Sequence, residues 1–174
     1  MRRYLPVVAV LCILAWCGPA MAQAGWTDYR SPDQAFAVQF PGAPGVTSKP
    51  VAGKTPVTEY QYQYATPALV YCVTVIQFTS GQGPDHPDNA YLSGLVAAYA
   101  RGSKTTLISQ NPKTVAGRPS LEAVTEDAAK NRFHLLDVFV SGARVYLIVS
   151  EGPKGHETSA DAKRFRDSFK LLGP

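Results

Sequence analysis

Three tyrosines at alternate positions are the side chains whose types and spacing most directly suggest binding chemistry. Tyr60, Tyr62 and Tyr64 alternate with Glu59, Gln61 and Gln63. Side chains of a β-strand alternate between faces, so the spacing places the three phenols together on one face. Such a row can stack on sugars or bases, which is the binding hypothesis. The alternative is a half-buried sheet face, and the exposure of the rings distinguishes the two.

Histidines are the next candidates, because imidazole binds metals and transfers protons near neutral pH. The chain has three, His86, His134 and His156. No H-x-x-x-H, H-E-x-x-H or C-x-x-C spacing occurs, so we expect no metal site and no cofactor. An alternative metal site would combine His86 and His156 with nearby acids, provided that the fold brings their loops together. The ordinary interpretation of the His86 loop is a solvated segment in which Asp88 caps the next helix.

No catalytic residues are predicted. Strand alternation places Arg132 and His134 on one face and Asp137 on the other, so His134 and Asp137 do not form a pair. A general base needs an orienting partner and a nucleophile within reach, and the sequence identifies neither. The serine motifs G-x-S-x-G and S-x-x-K and a phosphate-binding loop are also missing. His134 is therefore expected to be a hydrogen-bonded histidine on a partly polar sheet face.

Cys72 lies within an apolar, β-branched run from residue 69 to 76. This setting is typical of a buried strand, where cysteine behaves as a small hydrophobic residue. The other two cysteines, Cys12 and Cys17, belong to the first 22 residues. If those residues are removed, no internal disulfide can form.

The elements that must position these residues follow from hydrophobic periodicity and turn residues. Two helices are predicted, one from residue 89 to about 101 that ends at Gly102, and one from a capping segment at 158–161 to Leu172. Two runs that are apolar on both faces predict central strands covered on both sides. The order of strands, helix, strands and helix predicts an α+β domain, with one antiparallel sheet of about six to seven strands and helices packed on it. The strand segments are residues 35–40, 46–51, 57–64, 69–79, 121–126, 133–140 and 144–150, with 104–109 as a candidate further strand, and the loops include 111–112 and 117–119.

The N-terminus resembles a secretory leader. Arg2 and Arg3 precede a 13-residue apolar run at 5–17, which is shorter than the about 20 residues that a spanning helix needs. The small residues Ala20 and Ala22, on either side of Met21, predict cleavage after Ala22, with Ala24 as the alternative. Residues 1–22 are thus predicted to be a cleaved signal peptide and 23–174 a single periplasmic or secreted domain. A lipid anchor on Cys17 is the alternative, although the bulky Trp16 before it disfavours processing there.

Charge and hydropathy exclude two classes of partner. Without Arg2 and Arg3, 15 of the 17 basic residues remain against 13 acidic ones. The basic residues are scattered rather than clustered, so nucleic acid is not an expected partner. No second apolar run reaches membrane length, so no stable membrane span is expected after cleavage of the leader.

Several turn motifs and apolar stripes of the sequence resemble those of a group of small exported bacterial proteins of unknown function. The layout of that group is similar to the PsbP-like fold of photosystem II extrinsic proteins. The resemblance covers about Trp26 to Leu172. It implies a PsbP-like sandwich and a non-enzymatic accessory or assembly role, with no catalytic set to carry over. No photosystem-binding segment is present, so that partner is not implied. The segments are Trp26, Tyr29, Ser31–Asp33, Phe36–Pro44 and Arg164–Phe169.

The sequence therefore favours an exported, non-enzymatic binding or accessory protein whose partner is an envelope protein or a small ligand. The alternative is a small hydrolase or metal-dependent enzyme built from the loop histidines and acids around His86 and His156.

Overall fold

Strands dominate the chain in the computed structural model, which describes residues 25–84 and 87–173. Of these described residues, 52% are strand and 18% are helical. A short 3₁₀ turn at His156–Thr158 precedes the second helix. The elements are β1 (Thr27–Arg30), β2 (Phe36–Phe40), β3 (Gly45–Val51), β4 (Val57–Ala65), β5 (Val70–Phe78), α1 (Asn89–Ser103), β6 (Thr106–Val115), β7 (Arg118–Asp127), β8 (Arg132–Ser141), β9 (Arg144–Pro153), α2 (Ala160–Asp167) and β10 (Lys170–Leu171).

The ten strands form two sheets, so the prediction of a single sheet with helices packed on it is wrong. Seven strands pair antiparallel in the order β3-β4-β5-β9-β8-β7-β6, and three pair in the order β1-β2-β10. The alternation of Phe36, Val38 and Phe40 correctly predicted strand β2 with one buried face. Alternation does not reveal what covers that face. The cover is the large sheet itself, and β1 and β10 are too short to be recognised from periodicity.

The large sheet is the middle layer of the fold. Helix α1 covers one face, where Leu92 and Val96 pack on apolar residues of β7, β8 and β9. The small sheet and α2 cover the other face through a mainly aromatic core that includes Phe36, Phe139 and Phe165. Strands β8 and β9 are buried on both faces along most of their length, as their apolar runs predicted. The fold therefore has two cores, one between α1 and the large sheet and one, mainly aromatic, between the large sheet and the layer formed by the small sheet and α2.

Helix α1 begins where the sequence predicted. The Asp88 side chain accepts a hydrogen bond of 2.8 Å from the backbone N–H of Tyr91, which is an N-cap. The helix ends at Ser103 rather than before Gly102. Lys104 takes a left-handed conformation there, with a φ of 58°, and its N–H bonds the Ala100 and Arg101 carbonyls. A left-handed residue after the last turn is a common way to end a helix, although glycine usually occupies it.

Replacing Gly94 by alanine is expected to raise the free energy of unfolding by about 0.5–1 kcal/mol, because glycine is a poor residue in the middle of a helix. Gly94 is exposed within α1, and a Cβ there would meet no atom within 4 Å. Urea unfolding followed by circular dichroism measures the change. Equal or lower stability of Gly94→Ala would contradict the prediction.

Three predicted boundaries are wrong. Helix α2 has 8 residues and ends at Asp167 instead of reaching Leu172. The chain turns at Ser168, whose hydroxyl donates to the Phe165 carbonyl at 2.7 Å and accepts from the Gln39 N–H at 2.9 Å, and Phe169 then enters the aromatic core.

Strand β6 runs through Pro112, and β7 begins at Arg118, where loops were predicted. An edge strand such as β6 tolerates proline, because one side of it needs no backbone donor.

Candidate functional site

The tyrosine row of β4 lies on the aromatic-core face of the large sheet. Tyr60 is paired with Val75, Tyr62 with Val73 and Tyr64 with Tyr71. The three phenols therefore share one face, as predicted. The small sheet and α2 cover this face unevenly: Tyr62 is buried, whereas Tyr60 and Tyr64 are half-buried.

Tyr62 is a core residue. Its ring meets the Phe36 ring edge-on, with centroids 5.0 Å apart, and lies 5.9 Å from the Tyr29 ring. Burial, followed by the charge of Asp33, raises the pKa of Tyr62 to about 12. The phenol is therefore neutral at physiological pH and has no open ring face for stacking. A cavity adjoins the row on either side of it, one lined by Tyr60 and the other by Tyr64.

The first cavity, which we call the edge cavity, lies beside strand β3 at the Tyr60 end and has a volume of about 270 Å³. Rings of Tyr60, Tyr62 and Phe36 contribute to its wall. Its charged side is the ion pair between Arg144 Nη1 and Asp33 Oδ2, 2.8 Å apart. Aromatic walls with a small number of placed polar groups are typical of ligand sites.

Hydrogen bonds fix the polar side of the edge cavity. Arg144 Nε donates to Gln77 Oε1, which orients the guanidinium. Burial alone would raise the pKa of Asp33, but hydrogen bonds with Ser31 and the Ala35 N–H, together with Arg144, hold that pKa below its usual range. The cavity therefore presents an ionised carboxylate and a guanidinium that already neutralise each other.

The second cavity, which we call the tryptophan cavity, lies at the Tyr64 end and has a volume of about 400 Å³. Trp26, Tyr64 and Tyr71 contribute aromatic surface, and Asp161 and Arg164 of α2 contribute charges. The Arg164 guanidinium carbon lies 5.1 Å from the centre of the Trp26 ring, a cation–π contact. The Trp26 and Tyr71 rings meet edge-on, 5.3 Å apart.

Of the two proposed metal-binding histidines, only His156 belongs to the described residues, because His86 lies outside them. His156 is buried below the Tyr71 ring, 5.6 Å away between ring centres, and its Nδ1 lies 3.2 Å from Ser159 Oγ. Among residues 25–84 and 87–173, no group of three or more His, Cys, Asp or Glu side chains is arranged to hold a metal ion. A metal site at His86 and His156 stays a prediction.

His134 has the partner that the sequence did not identify. Its Nδ1 lies 2.7 Å from the Tyr99 hydroxyl of α1, and its Nε2 lies 3.9 Å from Glu151 Oε1. Glu151 in turn forms an ion pair with Arg132. Tyr99 packs with Leu92 and Val96 on the side of α1 that faces the sheet, and nothing in the sequence linked it to a residue 35 positions away. The hydrogen bond between His134 and Tyr99 ties α1 to the sheet.

Acid is expected to destabilise the protein through the two described histidines. Burial lowers the pKa of His134 and His156 below the ordinary value of 6.5. The histidines of the unfolded chain therefore bind protons at a higher pH than the same histidines in the folded protein. As the pH falls below about 6.5, protonation favours the unfolded state, and the free energy of unfolding decreases until the pH is below the folded-state pKa values. Urea unfolding near pH 7.5 and pH 5.5 should give a lower free energy of unfolding at the lower pH. A His134→Gln/His156→Gln variant should show a smaller difference, and a gain in stability on acidification would contradict the argument.

Cys72 lies on the α1 face and is not poised for reaction. Its Sγ lies 3.6 Å from the Thr74 hydroxyl. Burial raises the pKa of this thiol to about 11. The reactive thiolate is therefore scarce at neutral pH, which agrees with a packing role.

A cluster of four charges around a buried carboxylate lies on the opposite face, under α2. The Asp137 carboxylate is fully buried, with Oδ2 3.1 Å from Lys113 Nζ and Oδ1 3.3 Å from Arg166 Nη1. Arg166 also binds Glu122. Burial raises the pKa of Asp137 against the opposing effect of Arg166 and Lys113. Burial would also raise the pKa of Glu122, but Arg166 and Lys113 hold it below the usual range. As predicted, Asp137 is separated from His134 by the sheet.

Neither a family model nor a curated protein sequence matches this chain. The resemblance to the PsbP-like group therefore stays a prediction. In the described part of the chain, neither helix combines the length and the apolar character that crossing a membrane requires. The leader, its cleavage site and Cys17 lie outside the described residues.

Proposed function

We propose that this chain is an exported, non-enzymatic binding protein of the periplasm or the secreted fraction, and that it holds a small ligand in the edge cavity. The observation that carries the proposal is the combination, in one cavity, of the half-buried Tyr60 ring with the Asp33–Arg144 pair. Export is supported by the sequence of the leader.

The chemistry of the edge cavity favours a flat ligand with one polar group. The Tyr60 ring and the apolar side chains of Phe36 and Val75 provide surface for a ring. Arg144 and Asp33 can hydrogen-bond a substituent as donor and acceptor. The volume of about 270 Å³ lies just below the common range of about 300–1,000 Å³. A single-ring compound therefore matches the site better than an oligomeric ligand.

The state of the acid in the cavity supports binding rather than catalysis. The pKa of Asp33 is held below its usual range. A general base works best when its pKa lies near the operating pH, so this carboxylate is a weak base at neutral pH. It serves as a fixed hydrogen-bond acceptor.

A fragment titration tests the proposal. Ligand-observed NMR with phenol, benzamide and benzoate should detect saturable binding of at least one compound to the chain. Tyr60→Leu, which removes the aromatic wall, should weaken that binding by at least tenfold. Tyr64→Leu is the matched control on the same face of β4, and it should bind as the parent chain does. Absence of binding by all three compounds, or equal effects of the two substitutions, would overturn the assignment.

Export is tested separately by the mass of the protein recovered from the cell envelope. A chain that begins at Gln23 is expected. A lipidated chain that begins at Cys17 would replace the proposed free form with an anchored one, and an intact leader would contradict export.

A further inference from the structure

We propose that the tryptophan cavity is a second binding site and that it takes a neutral sugar ring. The proposal concerns different residues from the edge cavity and does not depend on a ligand there.

The first support is a buried hydroxyl that lacks a partner. Tyr71 is 1% exposed and contributes to the cavity wall, and its hydroxyl has no hydrogen-bond partner among the described residues. Burial, followed by the charges of Asp161 and Tyr64, raises the pKa of Tyr71 to about 12. Native structures leave few buried polar groups unpaired, so a ligand hydroxyl at this point would complete the site.

The second support is a guanidinium held in place at the same cavity. Arg164 lies over Trp26, and its Nε donates to Gln39 Oε1 at 3.0 Å. Within residues 25–84 and 87–173, no carboxylate forms an ion pair with Arg164. Its remaining N–H groups are therefore free to donate to a ligand.

The third support is the balance of charge, which selects the class of ligand. Asp161 supplies an acceptor one helical turn before Arg164. The opposite charges of Asp161 and Arg164 offset each other, so together they favour neither a simple anion nor a simple cation. A neutral ligand with adjacent hydroxyls suits both, because each hydroxyl donates and accepts. The aromatic rings of Trp26 and Tyr64 offer apolar surface to the C–H face of such a ring.

Trp26 provides a direct signal for the test. The chain has two tryptophans, Trp16 and Trp26. Trp16 belongs to the predicted leader, so the cleaved protein has Trp26 alone. Its emission is titrated with glucose, N-acetylglucosamine, maltose and cellobiose, and with benzoate and inorganic phosphate as anionic comparisons. We expect a saturable change with at least one sugar and none with the anions.

Tyr71→Phe is the decisive variant, because it removes only the hydroxyl and keeps the ring. We expect at least a tenfold loss of sugar affinity at unchanged or higher melting temperature, since the lost hydroxyl had no protein partner. Asp161→Asn should also weaken binding, and Tyr60→Leu in the edge cavity should leave it unchanged. No response to any sugar, a response to the anions alone, or undiminished affinity of Tyr71→Phe would overturn the proposal.

Discussion

Replacing Arg166 by methionine is expected to lower the free energy of unfolding by about 3–5 kcal/mol, because breaking a buried ion pair leaves an uncompensated charge in the core. Arg166 binds both Asp137 and Glu122. Without it, the buried Asp137 carboxylate shares the single remaining cation, Lys113, with Glu122. Urea unfolding near pH 7, followed by circular dichroism, measures the loss.

Lys163→Met is the matched control on the same helix. Lys163 pairs with Asp167 one turn later, and both side chains are largely exposed. Exposed pairs of this spacing contribute only about 0.3–0.5 kcal/mol. If Arg166→Met is no more destabilising than Lys163→Met, the buried cluster does not stabilise the fold in the way proposed.

A compensating variant separates the loss of charge balance from the loss of packing. Substitution of Asp137 by leucine in the Arg166→Met background removes the uncompensated carboxylate, and apolar replacements of buried ion pairs are often neutral or stabilising. We therefore expect the double variant to be more stable than Arg166→Met alone. A further loss of stability would instead identify packing as the main contribution of Arg166.

Replacing Phe36 by alanine is expected to cost about 3–5 kcal/mol, the usual range for removing a buried phenylalanine. Phe36 is 1% exposed, and its ring lies 5.0 Å from that of Tyr62 in the large sheet and 5.5 Å from that of Phe169. The side chain thus joins the two sheets. Thermal and urea unfolding measure the effect.

Val51→Ala is the comparison for Phe36→Ala. Val51 lies at the end of edge strand β3 and is 39% exposed. Surface substitutions of this kind usually stay within about 0.5 kcal/mol. Similar losses for the two substitutions would show that the interface between the sheets is not the principal core.

Local signals predicted the parts of the fold that depend on neighbours in sequence. Asp88 caps α1 because its carboxylate needs only a backbone N–H three residues later. The shared face of Tyr60, Tyr62 and Tyr64 follows from strand alternation alone. The β8–β9 hairpin joins two apolar runs across a short turn.

The misassigned parts depend on contacts between distant residues. The apolar stripe of β2 fits cover by a helix or by a second sheet equally well, because both hide one face of a strand. Phe169 extends the helical stripe of α2 in sequence, yet its ring stacks on Phe36, and the chain leaves the helix to allow this contact. Arg166 follows the buried Phe165 in α2, and nothing in the sequence shows that Glu122 and Asp137, 44 and 29 residues away, draw its side chain inward.

Only part of the candidate site could be predicted from the sequence, because the rest also depends on contacts between distant residues. The tyrosine row was identified, but the sequence could not show that Tyr62 is covered while its neighbours adjoin separate cavities. Arg144, Trp26 and Arg164 complete those cavities from strands and a helix far away in the chain. Their role could be recognised only after the two sheets were placed face to face.

Pro112 in edge strand β6 affects how readily copies of this chain pair through their sheet edges. Both ends of the large sheet are open strand edges, and such edges can pair with another molecule and start aggregation. Pro112 removes one backbone donor from the β6 edge, and the irregular pairing between Leu107 and Ser109 bends that strand. Strand β3 carries Lys49 and Pro50 on the opposite edge. Each edge is thereby a poor template for a neighbouring strand, and a protein built mainly from strands can remain dispersed at high local concentration.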